Sequence, residues 1–333
     1  MSREDFELNM DDKQMKALLR KAKRKHLIRN WIISICASIV VAFGLLCAVT
    51  YLQQKNFSKM ERAIEAWHTI QGPNIHFYGH TKLSMGLTNS TISYSSYKNI
   101  AGQPVKWIDE IYEYSIWGYH QVNHNGNIGL DEEGPTEGTK PDYNSQTLQR
   151  EMRFYLPFVT YKDYVNDLKN IGDLQNKVGE VALSFDKAYT VEQITQMLPK
   201  DVQPVWYWVD TYNEKKPTDY VGLTDANGTV FNAQMSTRVY GFQGSYTKNE
   251  EFTKDIINRN AKDFVETIKF LSKNEPSTLR GDMNKIYKEI KDIPPKDLPI
   301  YGVVVTGTTQ SLQQLQGAPY IKAAVKGVVV DKQ

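Results

Sequence analysis

Two cysteines in 333 residues are too few for a disulfide scaffold or a multi-cysteine zinc module. Charge of one sign is also lacking. There are 40 Lys and Arg against 38 Asp and Glu, a net charge of +2, so the basic footprint of a nucleic-acid binder is absent and direct nucleic-acid binding is not expected. Glycine and proline, at 21 and 13, are too sparse for a collagen-like or low-complexity chain, and 41% hydrophobic content excludes wholesale disorder. Long hydrophobic runs are missing too, with one exception. The mean hydropathy of −0.50 averages that exception away.

The exception is residues 31–52, WIISICASIVVAFGLLCAVTYL, which contain no charged side chain. As a helix, this stretch rises about 33 Å, enough for a hydrocarbon core of roughly 30 Å. Trp31 and Tyr51 stand at its ends, where amphipathic rings favour the membrane interface. A buried core helix of this length and uniformity is unusual. A cleaved signal peptide has a shorter apolar region followed by small residues, whereas YLQQKNF follows here. Leu46 before Cys47 occupies the position where lipidation needs a small side chain. The sequence therefore predicts an uncleaved signal anchor in the cell membrane, crossing once.

Charge sets the expected orientation. Residues 1–30 carry Arg3, Lys13, Lys16, Arg20, Lys21, Lys23, Arg24, Lys25 and Arg29 against Glu4, Asp5, Glu7, Asp11 and Asp12. Positive-inside bias places this N-terminal segment in the cytoplasm and the rest outside. Both cysteines, Cys36 and Cys47, lie in the apolar stretch, so the exported part has none, which suits an oxidising exterior.

Within the cytoplasmic segment, 1–30, Asp11 and Gln14 have capping-box spacing and Met10 and Met15 that of a hydrophobic staple. Met15, Leu18, Leu19 and Ala22 follow at helical i, i+3, i+4, i+7 spacing, and Phe6, Leu8 and Met10 alternate just upstream. The segment reads as one amphipathic helix. It either lies on membrane lipid through its basic residues or presents Phe6, Leu8, Met15, Leu18 and Leu19 to a protein partner.

The exported part reads as α+β, with a mixed sheet and strand–helix–strand units. Ser58 and Glu61 have capping-box spacing and open an expected short helix that Gly72 and Pro73 stop. Residues 53–171 then form a β-rich region whose strand sequences include NIHFYGH, STISYSSY, PVKWIDEIYEYSIWGY and MRFYLPF, with a polar loop over 121–146. A C-terminal α+β sensor domain spans 172–333. There VGEVALSFD, a helix over 191–197 capped by Thr190 and Gln193, and VQPVWYWVDTY give strand–helix–strand. IYGVVVTG, a helix over 308–316 and YIKAAVKGVVVD repeat the pattern, consistent with an internal duplication. Helical periodicity over 249–272 and 283–290 lies between the two copies.

Catalytic chemistry is not visible. The pairs His76/His80 and His120/His124 have the i, i+4 spacing of a zinc pair, but in extended sequence these partners stand about 13 Å apart. Ser95 and Lys98 have Ser-x-x-Lys spacing, without the companion motifs that make it a nucleophile site. Thr306 and Thr308 flank Gly307 with no following lysine, so no P-loop is present, and Glu132 and Glu133 lie in a polar loop. No enzyme, metal or cofactor is expected. Trp206 and Trp208 alternate with Tyr207 and face one side of a strand; they read as core or as a platform for a glycan or peptide.

The strings EVALSFDKAYTVEQITQMLPKDVQPVWYWVDTY, VYGF and YGVVVTGTTQSLQQLQGAPYIKAAVKGVVVD together resemble the C-terminal domain of the sigma factor regulator (anti-sigma factor) family of Gram-positive bacteria. KAKRKHLIRN, the single apolar span and AIEAWHTIQGPNIHFYG resemble the N-terminal unit of the same family. The resemblance implies a membrane-anchored negative regulator that holds an extracytoplasmic-function sigma factor at the inner face and releases it under envelope stress. It carries over no catalytic residues. Members commonly have a longer region ahead of the juxtamembrane stretch, which points to a second membrane regulator as a further partner. The competing expectation is an envelope-binding or scaffold protein with a lipid-associated cytoplasmic tail.

Overall fold

Residues 12–70 contain a single glycine, Gly44, and no proline, and nothing in them interrupts a helix. In the structure, a computed structural model that describes residues 12–123, 126–129, 139–212, 215, 230, 233–245, 250–274 and 277–333, they form one helix, α1 (Asp12–Ile70). Its 59 residues extend about 88 Å. Side chains over 14–48 are exposed, and the apolar stretch makes α1 the one helix among the described residues that is long and apolar enough to cross a membrane. The expected break before Ser58 is absent. Capping-box residues start a helix only where the preceding chain leaves helical geometry, and residues 53–57 are all compatible with a helix. Asp11, the other expected cap, lies outside the described residues, as do Phe6, Leu8 and Met10. The stop does form where expected: Gly72 takes φ +81°, and the Ile75 N–H donates to its carbonyl.

A four-stranded antiparallel meander follows: β1 (Ile75–Met85), β2 (Asn89–Ile100), β3 (Gln103–Ser115) and β4 (Tyr119–Gln121). β2 and β3 join through Ala101 and Gly102, both at positive φ, a turn whose twist matches the strands. One face of the meander packs on α1. Met60 and Ile64 meet Ile92 and Tyr114, with Phe57, Tyr94 and Tyr112 around them.

The loop region beyond β4 contains a small pairing of β5 (Asn127–Gly129) with β6 (Asp142–Asn144). β7 (Arg153–Phe154) pairs with β10 (Gln234–Met235). The second large sheet is built from β8 (Lys177–Tyr189), β9 (Gln203–Val209), β11 (Gly241–Gln243), β12 (Ile300–Thr308) and β13 (Ile321–Asp331), in the order β11-β9-β12-β8-β13. Helix α2 (Leu168–Ile171) precedes it. α3 (Val191–Met197) links β8 to β9 and α6 (Thr309–Gln313) links β12 to β13, while α4 (Glu250–Asn274) and α5 (Ser277–Ile290) are inserted between β11 and β12.

Both strand–helix–strand units are therefore present, but the sheet is not mixed. Each unit leaves a one-strand gap, and the other unit fills it. β12 lies between β8 and β9, and β8 lies between β12 and β13, antiparallel in every case. Among the described residues all strand ladders are antiparallel, and parallel contacts occur only as isolated bridges, Tyr161 with Val230 and Asn166 with Ala324. This interleaving of two split β-α-β units is the ferredoxin-like strand order.

The sheet buries both faces. On one, Leu183, Tyr207, Val303 and Ala324 meet α4 and α5 through Phe264, Ile268 and Met283, and the last turn of α1 joins them through Ala66 and Ile70. On the other, Ala182, Trp206, Trp208 and Val304 are covered by Phe154, Tyr155 and Leu156. The Lys322 ammonium pins that cover by donating to the carbonyls of Leu156, Pro157 and Val159.

Candidate functional site

α1 places Met15, Leu18 and Leu19 on neighbouring turns, all exposed, about 18–24 Å before Trp31 along the axis. Lys16, Arg20, Lys21, Lys23, Arg24 and Lys25 surround this short apolar stripe and are exposed as well. Among the described residues the stripe has no partner surface, and its composition suits either a groove on another protein or a lipid surface.

The other end of α1 is built into the globular fold. Met60 and Ile70 are fully buried, each contributing roughly 1.5–3 kcal/mol by the area they remove from water. His68 Nε2 lies 3.1 Å from Glu110 Oε2 on β3, and its ring stacks on Phe77 of β1. Gln71 Nε2 donates to the Thr237 carbonyl, and Trp67 packs beside Tyr240. The same helix thus carries the exposed stripe at one end and is fixed to both sheets at the other.

The two sheets also meet directly, through a buried polar node. The Lys98 ammonium of β2 lies 2.7 Å from Glu180 Oε1 of β8, with the lysine side chain 2% exposed and the glutamate fully buried. The other carboxylate oxygen accepts from Asn74 Nδ2 at 2.8 Å, the Val328 N–H donates to Oε1, and Lys98 lies 4.1 Å from the Trp107 ring centre. A Cβ at position 327 would collide with this carboxylate, so Gly327 leaves the room it needs. Nearby Glu151 is buried, accepting from Asn144 and Ser236. Burial pushes its pKa above the ordinary carboxylate range despite the nearby Lys98. Ile100 and Trp107 pack against Val178 and Val328 to close an apolar seam beside the node.

A cleft of about 830 Å³ opens between α1, β1, β2 and α4. Glu61, Glu65 and Asp263 supply carboxylates that outnumber the one guanidinium, Arg62, and Phe77, Tyr94 and Tyr97 supply aromatic walls. His76 lines it too. Burial holds its pKa down to about 4, so the ring is neutral at neutral pH. Burial, followed by the Glu61 charge, raises Tyr94 to about 12, and its buried hydroxyl has no hydrogen-bond partner among the described residues. Carboxylates beside aromatic faces suit a cationic group.

The remaining sequence-derived candidates take structural positions. Trp206 and Trp208 do share a face, but both are fully buried against Phe154; a ligand would reach them only by displacing the covering segment. His76 and His80 lie on β1 and His120 on β4, while His124 is outside the described residues. Among the described residues no group of three His, Cys, Asp or Glu is placed to hold a metal. Ser95 donates to Asp109, and Lys98 is committed to Glu180.

The chain matches two family models in order along its length. They are the sigma factor regulator N-terminal model over residues 16–105 and the sigma factor regulator C-terminal model over residues 168–328. It is also similar to the probable anti-sigma-M factor YhdL of Bacillus subtilis (strain 168), at 27% identity over 161 residues. That alignment covers 46% of this chain and 40% of the relative's length. No solved structure gives a significant match.

Proposed function

The chain belongs to the sigma factor regulator family, and from that premise we propose that it is a membrane-anchored anti-sigma factor that restrains an extracytoplasmic-function sigma factor until the envelope is stressed. In this reading residues 31–52 cross the membrane once, with the basic residues of 1–30 in the cytoplasm. Phe6, Leu8, Met15, Leu18 and Leu19 hold the sigma factor. The exported sheets form the sensor, and lipid and a second membrane regulator are the other partners. The observation that carries the reading is the order of the two family matches along a chain whose α1 runs unbroken from the exposed stripe into the core of the sheets.

Mechanically, a helix without a hinge passes displacement or rotation at the sensor to its far end, because each turn is hydrogen-bonded to the next. A change in how the sheets hold residues 57–70 therefore reaches Leu18 and Leu19. Deleting the gene tests the reading. Transcription from the promoters of one extracytoplasmic-function sigma factor is expected to rise without any envelope stress, and unchanged output from every such sigma factor in the cell would overturn it.

A further inference from the structure

The first sheet ends, near α1, in two hairpin tips that expose large apolar side chains. At the β1–β2 tip Met85 is 75% and Leu87 67% exposed, and at the β3–β4 tip Trp117 is 88% exposed. Isolated exposed leucines are unremarkable, but three large apolar side chains on adjoining tips form a patch that a soluble surface rarely keeps. The tips are tied to each other, the Ile116 N–H donating to the Thr88 carbonyl at 3.1 Å. They are also tied to α1 at one level. Gln53 Nε2 donates to the Gly86 carbonyl at 3.3 Å and Asn56 Nδ2 to the Ser115 carbonyl at 2.8 Å.

That level is set by the apolar stretch. Gln53 and Asn56 are the first and fourth residues beyond Leu52, about 1.5 and 6 Å further along the helix axis. A membrane crossed by residues 31–52 therefore brings its headgroup layer to the tips. Residues 49–58, 80–90 and 114–122, which make up this end of the molecule, contain no Asp or Glu, while Lys55 and Lys82 are exposed there. A tryptophan at the tip suits the interface, since its ring is apolar and its N–H can stay hydrated.

We propose that the two tips insert Met85, Leu87 and Trp117 into the lipid leaflet from which α1 emerges, so that the first sheet stands on the membrane surface as well as on the helix. The proposal rests on the reading that residues 31–52 span the bilayer. It gives the sensor three points of contact with the leaflet, making the orientation of the first sheet dependent on lipid packing around α1.

The test uses the full chain with Cys36→Ser and Cys47→Ser, reconstituted into phosphatidylcholine–phosphatidylglycerol vesicles. A nitrobenzoxadiazole label is placed on Leu87→Cys, Tyr51→Cys or Lys106→Cys, and quenching by a lipid nitroxide at a shallow acyl position is read. Lys106 lies nine residues from Ser115 along β3, about 30 Å from the tips. Quenching at position 87 is expected to match that at 51 and to exceed that at 106 severalfold. Trp117→Cys serves as a second labelling site and is expected to behave as position 87 does. Quenching at 51 with none at 87 or 117 overturns the insertion of the tips and leaves the span standing. No quenching at 51 overturns the span, and the proposal with it.

Discussion

Lys98 on β2 and Glu180 on β8 place two almost fully buried charges 2.7 Å apart between the two sheets. Such a pair adds little net stability when intact, but removing one partner leaves the other charged and unpaired in a poor solvent. Lys98→Met is therefore expected to destabilise the fold by about 3–5 kcal/mol. Adding Glu180→Gln, which removes the stranded charge and keeps one carbonyl acceptor for either Asn74 or Val328, should recover part of that loss. Thermal unfolding of the detergent-solubilised chain measures both. Glu151 adds a pH dependence of known sign. Its pKa in the fold is raised above the ordinary 4.5, so the folded chain keeps the proton that the unfolded chain releases. Its contribution is full below 4.5 and is lost as pH rises through the folded value. Glu151→Gln should accordingly raise the melting temperature at pH 7 and leave it unchanged at pH 4, relative to the parent chain. His76 has the opposite sense. With its pKa lowered to about 4, stability falls as pH drops from 6.5 towards 4, and His76→Gln should flatten that limb of the profile.

At the scale of elements, α1 joins what the sequence divides. Its last turn plugs the helical side of the second sheet, so Ile70→Ala is expected to cost about 2–5 kcal/mol through the cavity it leaves, read by denaturant unfolding. The α3 cap is legible from sequence, because Thr190 and Gln193 follow a strand and Pro199 stops the helix two residues past its end. The structure shows both halves of that capping box. Ser58 and Glu61 carry the same spacing without a break before them, and there the continuous packing of Phe57, Met60 and Ile64 keeps the helix running. Strand–helix–strand order is local and readable, whereas the mutual filling of gaps by β8 and β12 is a long-range pairing that periodicity does not encode. The Lys98–Glu180 node is hidden for the same reason, its partners being 82 positions apart. One signal does exist. Lys98 falls in phase with Ile92, Ser96 and Ile100 on the buried side of β2, where an unpaired lysine does not belong.

Over the whole molecule, the exposed stripe at 15–19 and the buried segment at 57–70 belong to one rigid element, with an apolar stretch of membrane length between them. Two sheets, a charged node and an acidic, aromatic cleft surround the C-terminal end of α1, so a ligand or lipid change at any of them bears on the same helix. In the proposed function, regulation turns on the short apolar stripe at the other end. Co-purification from native membranes measures this most directly, comparing the full chain with the Leu18→Asp, Leu19→Asp double variant. The full chain is expected to retain one extracytoplasmic-function sigma factor, and the double variant to lose it while remaining in the membrane fraction. Equal retention by both chains, or no sigma factor on either, would contradict the account.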